Sequence, residues 1–158
     1  MKKIVLLAAF FTAACIQKSA AQDSTSSLSS LLQSYYQIKD ALVAGNAGVA
    51  ASKSEEFVKI ANTIDYKLIS EGNINALLKD AGAISETKDL QKQRVYFANF
   101  STNMVALAKS VKLTSEPAYE MYCPMKKANW LSSEKQVKNP YYGSAMMGCG
   151  KVVDTINP

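Results

Sequence analysis

Residues 87–112 limit most sharply how this chain can fold. Leu90, Phe97, Met104 and Val111 recur there at seven-residue steps, with Phe100 and Leu107 between them. At 3.6 residues per turn these positions share one face, so the spacing predicts a long amphipathic helix with a stripe of large apolar side chains to bury. The preceding chain offers matching partners. Leu28, Leu31, Leu32, Tyr35, Ile38 and Leu42 fall on three- and four-residue steps before Gly45, with Ser26 or Ser27 as the cap. A second stripe, starting at Asn46 or Ala47, runs through Val49, Phe57, Ile60, Ala61, Ile64 and Leu68 and is expected to stop at Gly72. A shorter piece over 73–82 carries Ile74, Leu77, Leu78 and Ala81, with Gly82 near its end. No strand-like alternation of comparable length and no internal repeat accompany these stripes. The expected fold is all-α, an antiparallel bundle of three to four helices with short connections.

The pattern changes at Pro117, which cannot continue a helix. Residues 119–152 are rich in turn formers and aromatics, and too apolar for disorder. They are expected to form an irregular Cys/Met/aromatic-rich tail that packs back on the bundle and buries Trp130. Residues 28–158 then make a single helical domain.

The first residues read as targeting. Lys2 and Lys3 precede an apolar run too short to span a bilayer, and the small residues at 19–21 suit cleavage before Gln22. Residues 1–21 are therefore assigned to a signal peptide and 22–27 to a polar tether, which makes the protein exported and periplasmic. The alternative is a lipoprotein signal ending before Cys15, an outer-membrane location, and membrane contact only through lipid on that cysteine. Residues 1–21 hold three lysines and no acid, so a formal charge of +5 becomes +2 after cleavage. That is too little for a nucleic-acid footprint.

The chain has no histidine, which removes triads, mixed Cys/His zinc sites and blue-copper sites. No carboxylate pair replaces them, and no enzyme is expected. Sulfur remains. "MYCPM" at 121–125 and "MMGCG" at 146–150 hold two of the three cysteines and four of the six methionines. Thiolate and thioether donors together favour Cu(I), so Cys123, Met125, Met146 and Cys149 form one candidate ligand set. Lys126 and Lys127 are expected to favour the thiolate form. The competing reading is a Cys123–Cys149 disulfide, worth roughly 3 kcal/mol for a loop of this length, in an interaction module without metal. The two are compatible: a pair close enough to bind Cu(I) is close enough to oxidise, and redox state would gate binding.

Residues 122–152 resemble the tail signature of the domain of unknown function 3347 family: Cys123, Pro124 and Met125; Trp130, Leu131 and Ser132; Asn139, Pro140, Tyr141, Tyr142 and Gly143; Met146; Cys149 and Gly150. Residues 35–46 are similar to the family's first helix. The resemblance implies an exported protein associated with heavy-metal efflux components or another metal-binding protein. It also implies motif roles for Trp130, Asn139, Pro140, Tyr141, Gly143 and Gly150. Lys126 stands where related Cys-Pro-Met elements continue with His, which narrows the implied ligands to sulfur.

Overall fold

The structure, a computed structural model, describes residues 20–158, with side chains from residue 26 onward. Of the expected signal peptide over 1–21, residues 1–19, Cys15 among them, fall outside the described residues, and residues 20 and 21 open the first helix. Four helices come first: α1 (Ala20–Val43), α2 (Ala47–Ala61), α3 (Glu71–Ser85) and α4 (Leu90–Ser110). The last three start where a side chain takes up amides that lack intrahelical acceptors. Asn46 accepts from the Val49 amide at 3.0 Å, Ser70 from Asn73 at 3.4 Å, and Asp89 from Gln91 and Lys92 at 2.9 and 3.2 Å.

Two local expectations change. The serine-rich residues 22–27 belong to α1 rather than to a tether ahead of it. α2 ends at Ala61, well before Gly72, which lies in the first turn of α3. The cause is side-chain competition for the last carbonyls: Asn62 donates to Val58 O at 2.8 Å and Thr63 to Ile60 O at 2.7 Å. Ile64 and Ile69 then reach the core from the connecting turn, while Val49 stays exposed.

The expected stripes otherwise face inward. Leu31, Tyr35, Ile38, Leu42, Phe57, Ile74, Leu77, Phe97, Phe100, Met104 and Leu107 are all buried. Consecutive helices pack on one another, and α4 packs in turn on the C-terminal segment.

That segment overturns the all-α expectation. The tail is not irregular: it forms β1 (Ala118–Cys123), β2 (Ala128–Ser132) and β3 (Lys151–Ile156), an antiparallel sheet in the order β2-β1-β3. The strands escape a reading by alternation for a physical reason. Glu120 faces Asp154 and Met121 faces Val152, so Val153 is left over as a bulge. Beside that shift Glu120 and Met121 are both buried, and the last three residues of β2 are buried in succession. No period of two survives in five or six residues.

The sheet is fixed to the helices at three points. At one edge, the buried Tyr35 hydroxyl of α1 accepts from the Leu131 amide of β2 at 3.0 Å and shares a hydrogen bond with Ser101 Oγ of α4 at 2.7 Å. At the other, Lys109 of α4 pairs with Glu120 of β1 and with Asp154 of β3 at 3.2 Å. Between them runs a chain of ring contacts. Phe57 meets Phe100 at 4.8 Å, Phe100 meets Tyr35 at 5.4 Å, Tyr35 stacks on Phe97 at 5.5 Å, and Tyr141 sits 5.9 Å from both Phe97 and Trp130. Trp130 is fully buried, as expected. Among the described residues no helix is long and apolar enough to cross a membrane.

Tyr35→Phe keeps the ring contacts but strands the Leu131 amide and the Ser101 hydroxyl in the core. The expected loss is about 1–3 kcal/mol in urea unfolding, with little change in helical circular dichroism at low denaturant.

Candidate functional site

β1 ends at Cys123, and a four-residue loop, 124–127, turns the chain into β2. Lys127 closes the turn in a left-handed conformation (φ 55°), its amide donating to Cys123 O at 2.8 Å. Pro124 contributes no N–H. The next amides face the sulfurs: Lys126 N–H donates to Cys123 Sγ at 3.4 Å, and Met125 N–H lies against the Cys149 thiol. Cys123 itself is buried.

Cys149 arrives from the other side. Its amide donates to Met146 O at 3.0 Å. Gly150 then adopts φ 147° and passes so close to the tryptophan that an added Cβ would stand 2.7 Å from Trp130 Cη2 and 3.1 Å from Tyr122 O. Only glycine fits that passage, and it sets Cys149 beside the end of β1. The two Sγ atoms lie 3.7 Å apart, and both cysteines are free thiols.

Asn139 organises the pair. It is fully buried, and its amide nitrogen donates to Cys123 Sγ at 3.3 Å and to Cys149 O at 2.6 Å. Its side-chain oxygen accepts from the amides of Tyr141 and Tyr142 at 2.8 and 3.3 Å. Its own amide donates to Met147 O at 2.9 Å and its carbonyl accepts from Gly143 at 2.9 Å. One residue thus joins both cysteine segments to the loop that separates them. Tyr141 OH adds a bond to Asn129 O on β2.

Arg94, the chain's one arginine, holds this loop on the bundle. From α4 it donates to Pro140 O at 3.0 Å and to Leu42 O, near the end of α1, at 3.1 Å. Gly143 (φ 54°) lies against the same place, where a Cβ would meet Arg94 Nη2 at 2.6 Å and Val43 O at 2.9 Å. Tyr35 and Arg94 were not site candidates on sequence grounds. A lone arginine at 94, in a chain whose other basic residues are lysines, was the available signal for the latter.

The methionines divide. Met121 is core, while Met125 is 63% exposed, and Met146 and Met147 are exposed at the surface beside Cys149. The structure therefore brings the two thiols together and leaves the side chains of Met125 and Met146 at the solvent edge of the pair. Among the described residues no cluster of three or more His, Cys, Asp or Glu side chains could hold a metal. Among the described residues, further ligands to such a pair would come from groups other than His, Asp or Glu, such as thioethers, backbone, water or a partner's group.

One electrostatic expectation is corrected. The lysines do not lower the Cys149 pKa. Desolvation and the hydrogen bond to the Cys123 thiol push it up, with the Met125 amide acting in the other direction. Lys127 is exposed, so its charge acts through solvent.

Fold and site together define a four-helix domain that carries a close cysteine pair on a small docked sheet. The family described as Protein of unknown function (DUF3347) matches residues 31–116, more than half of the chain, and the chain belongs to that family. The match covers α2, α3, α4 and the second half of α1 and ends before β1. The resemblance in the tail lies beyond it, as do both cysteines. No curated protein and no solved structure matches the chain.

Gly150→Ala should cost about 1–3 kcal/mol of stability, since the new Cβ displaces the Trp130 ring or the strand, and should alter the near-ultraviolet signal of the single tryptophan. In the intact protein Cys149 should alkylate ahead of the buried Cys123. Its rate should climb with pH to a midpoint above the roughly 8.5 of an ordinary thiol, as read by mass spectrometry after timed iodoacetamide treatment.

Proposed function

We propose that the protein is an exported binder of a soft metal, Cu(I) in particular, acting in buffering or delivery within heavy-metal homeostasis and not in catalysis. The observation that carries this reading is the 3.7 Å separation of two free thiols in a cradle of backbone and Asn139 N–H donors. Metal–sulfur bonds of about 2.3 Å at a tetrahedral angle span about 3.8 Å between sulfurs. The pair thus suits one edge of a metal–thiolate site with little movement. N–H groups aimed at sulfur stabilise the thiolates that a metal needs, as outer partners do in metal sites generally.

The donor set supports the choice of ion. Two thiolates and neighbouring thioethers, with no imidazole in the chain, are soft and few. Cu(I) accepts both conditions, whereas zinc prefers four N, O or S donors. Met125 and Met146, at the solvent edge, are the thioethers proposed to complete the set, and heavy-metal efflux components or another metal-binding protein are the proposed source or destination. Binding displaces protons, so the raised Cys149 pKa makes affinity fall with acidity.

A second reading rests on the same distance. The sulfurs need to approach by less than about 2 Å to reach the roughly 2.05 Å of a disulfide. A disulfide oxidant would take two electrons, and two protons would leave, giving a stapled module without metal. Thiol counting on the native, air-exposed protein separates the two.

Reduced protein should compete for Cu(I) against a chelator of known affinity at one ion per chain. Cys123→Ser and Cys149→Ser should each abolish this, and Met125→Leu with Met146→Leu should weaken it by about tenfold, roughly 1.4 kcal/mol. Below pH 8 the affinity should fall by at least about tenfold per pH unit, because at least the Cys149 proton competes with the metal. Stoichiometric disulfide in the native protein and no Cu(I) uptake after reduction would sink the metal reading.

A further inference from the structure

The end of the sheet that bears the thiols also gathers charge. Cys123 closes β1 there, and Lys151, opposite Tyr122, opens β3 beside Gly150. Lys126 and Lys127 lie in the loop that leaves β1, so three lysines fall within four residues of one or the other cysteine. The acids of the tail are turned elsewhere. Glu120 and Asp154 pair with Lys109, and Glu134 pairs with Lys138 at 2.8 Å. Among the described residues no carboxylate lies within 4.0 Å of Lys126, Lys127 or Lys151. The chain's small net charge thus hides a local excess of three positive charges.

Interleaved with these lysines are the exposed side chains of Met125, Met146 and Met147. Flexible, polarizable thioethers suit a surface that adapts to a partner. Lysines spread over a loop and the start of β3 match an extended acidic surface better than a point anion. They also repel a second copy of the same face, which leaves an unlike partner as the occupant.

We propose that this end of the sheet docks an acidic polypeptide that carries Cu(I) on a cysteine thiolate, and that the ion passes to the Cys123–Cys149 pair by ligand exchange. The proposal rests on the soft-metal reading and names its partner. In the exchange the bond between copper and the partner's sulfur breaks as bonds to Cys149 and Cys123 form. One of the two protons released from Cys149 and Cys123 goes to the departing thiolate and the other to solvent, and copper stays Cu(I), so no oxidant or reductant is required. The lysines steer the encounter, and the thioethers cover the apolar contact.

The test uses two synthetic peptides with a single cysteine, flanked by glutamates or by lysines, each loaded with Cu(I) and mixed with the reduced protein. At low salt the glutamate peptide should transfer its ion about tenfold faster or more, with the gap narrowing as ionic strength rises. Lys127→Glu combined with Lys151→Glu should reverse that order, and the same positions changed to Gln should narrow the gap. All variants should keep wild-type Cu(I) affinity against a neutral chelator and wild-type circular dichroism. Equal rates for the two peptides would overturn the docking proposal while leaving the metal reading intact. A wild-type protein that takes no Cu(I) even from the chelator would overturn both.

Discussion

The Tyr35 hydroxyl is the contact on which the rest of the arrangement turns. β2 is an edge strand, and its outer edge faces the bundle instead of water, so the Leu131 amide must find an acceptor there or remain unpaired in the core. Tyr35 provides one from α1 and is itself satisfied by Ser101 of α4. The ring below that hydroxyl packs on Phe97 and Phe100, so a single side chain serves the helical core and the sheet edge together. With β2 in place, β1 lies beside it and Cys123 reaches its position.

The thiol pair is built by backbone, not by charge. The amides of Met125 and Lys126 face the two sulfurs, Asn139 bonds one cysteine at sulfur and the other at its carbonyl, and Gly150 brings the second strand against Trp130. Arg94 fastens the loop carrying Asn139 to the end of α1. The family match stops before this tail, yet Tyr35, Arg94 and Ser101, the residues that receive it, lie inside the matched segment. Helical scaffold and sulfur-bearing tail are therefore physically one unit. The scaffold presents polar groups, the Tyr35 hydroxyl and Arg94 Nε, with which the docked tail pairs.

The chemical character of the site derives from a division of exposure. Cys123 is sealed, Cys149 is half-buried, and the methionines on the adjoining loops stand in solvent. Such a pair is reachable from one side only. Desolvation together with the neighbouring thiol keeps Cys149 protonated, so a soft ion has to displace a proton to bind. Lys126, Lys127 and Lys151 belong to the same end of the sheet, while the nearby acids of the tail are engaged by Lys109 and Lys138.

The sequence by itself determined the helices, because periodicity over twenty residues specifies a buried face regardless of what covers it. It also determined that sulfur is the chain's unusual chemical resource, and that Trp130 belongs inside. It could not show the sheet. Strands of five or six residues with a bulge at Val153, opposite Glu120 and Met121, carry no alternation to read, and their identity as strands comes from pairing. Nor could it show Asn139 as the hub or Arg94 as the clamp, since a polar residue's role depends on which distant carbonyls and amides the fold presents to it. The tertiary structure alone decided that 26 residues of chain return Cys149 to within 3.7 Å of Cys123. The physical reason is that a short-range pattern encodes burial, while the meeting of two sulfurs is set by long-range hydrogen bonds and by one close approach that only glycine permits.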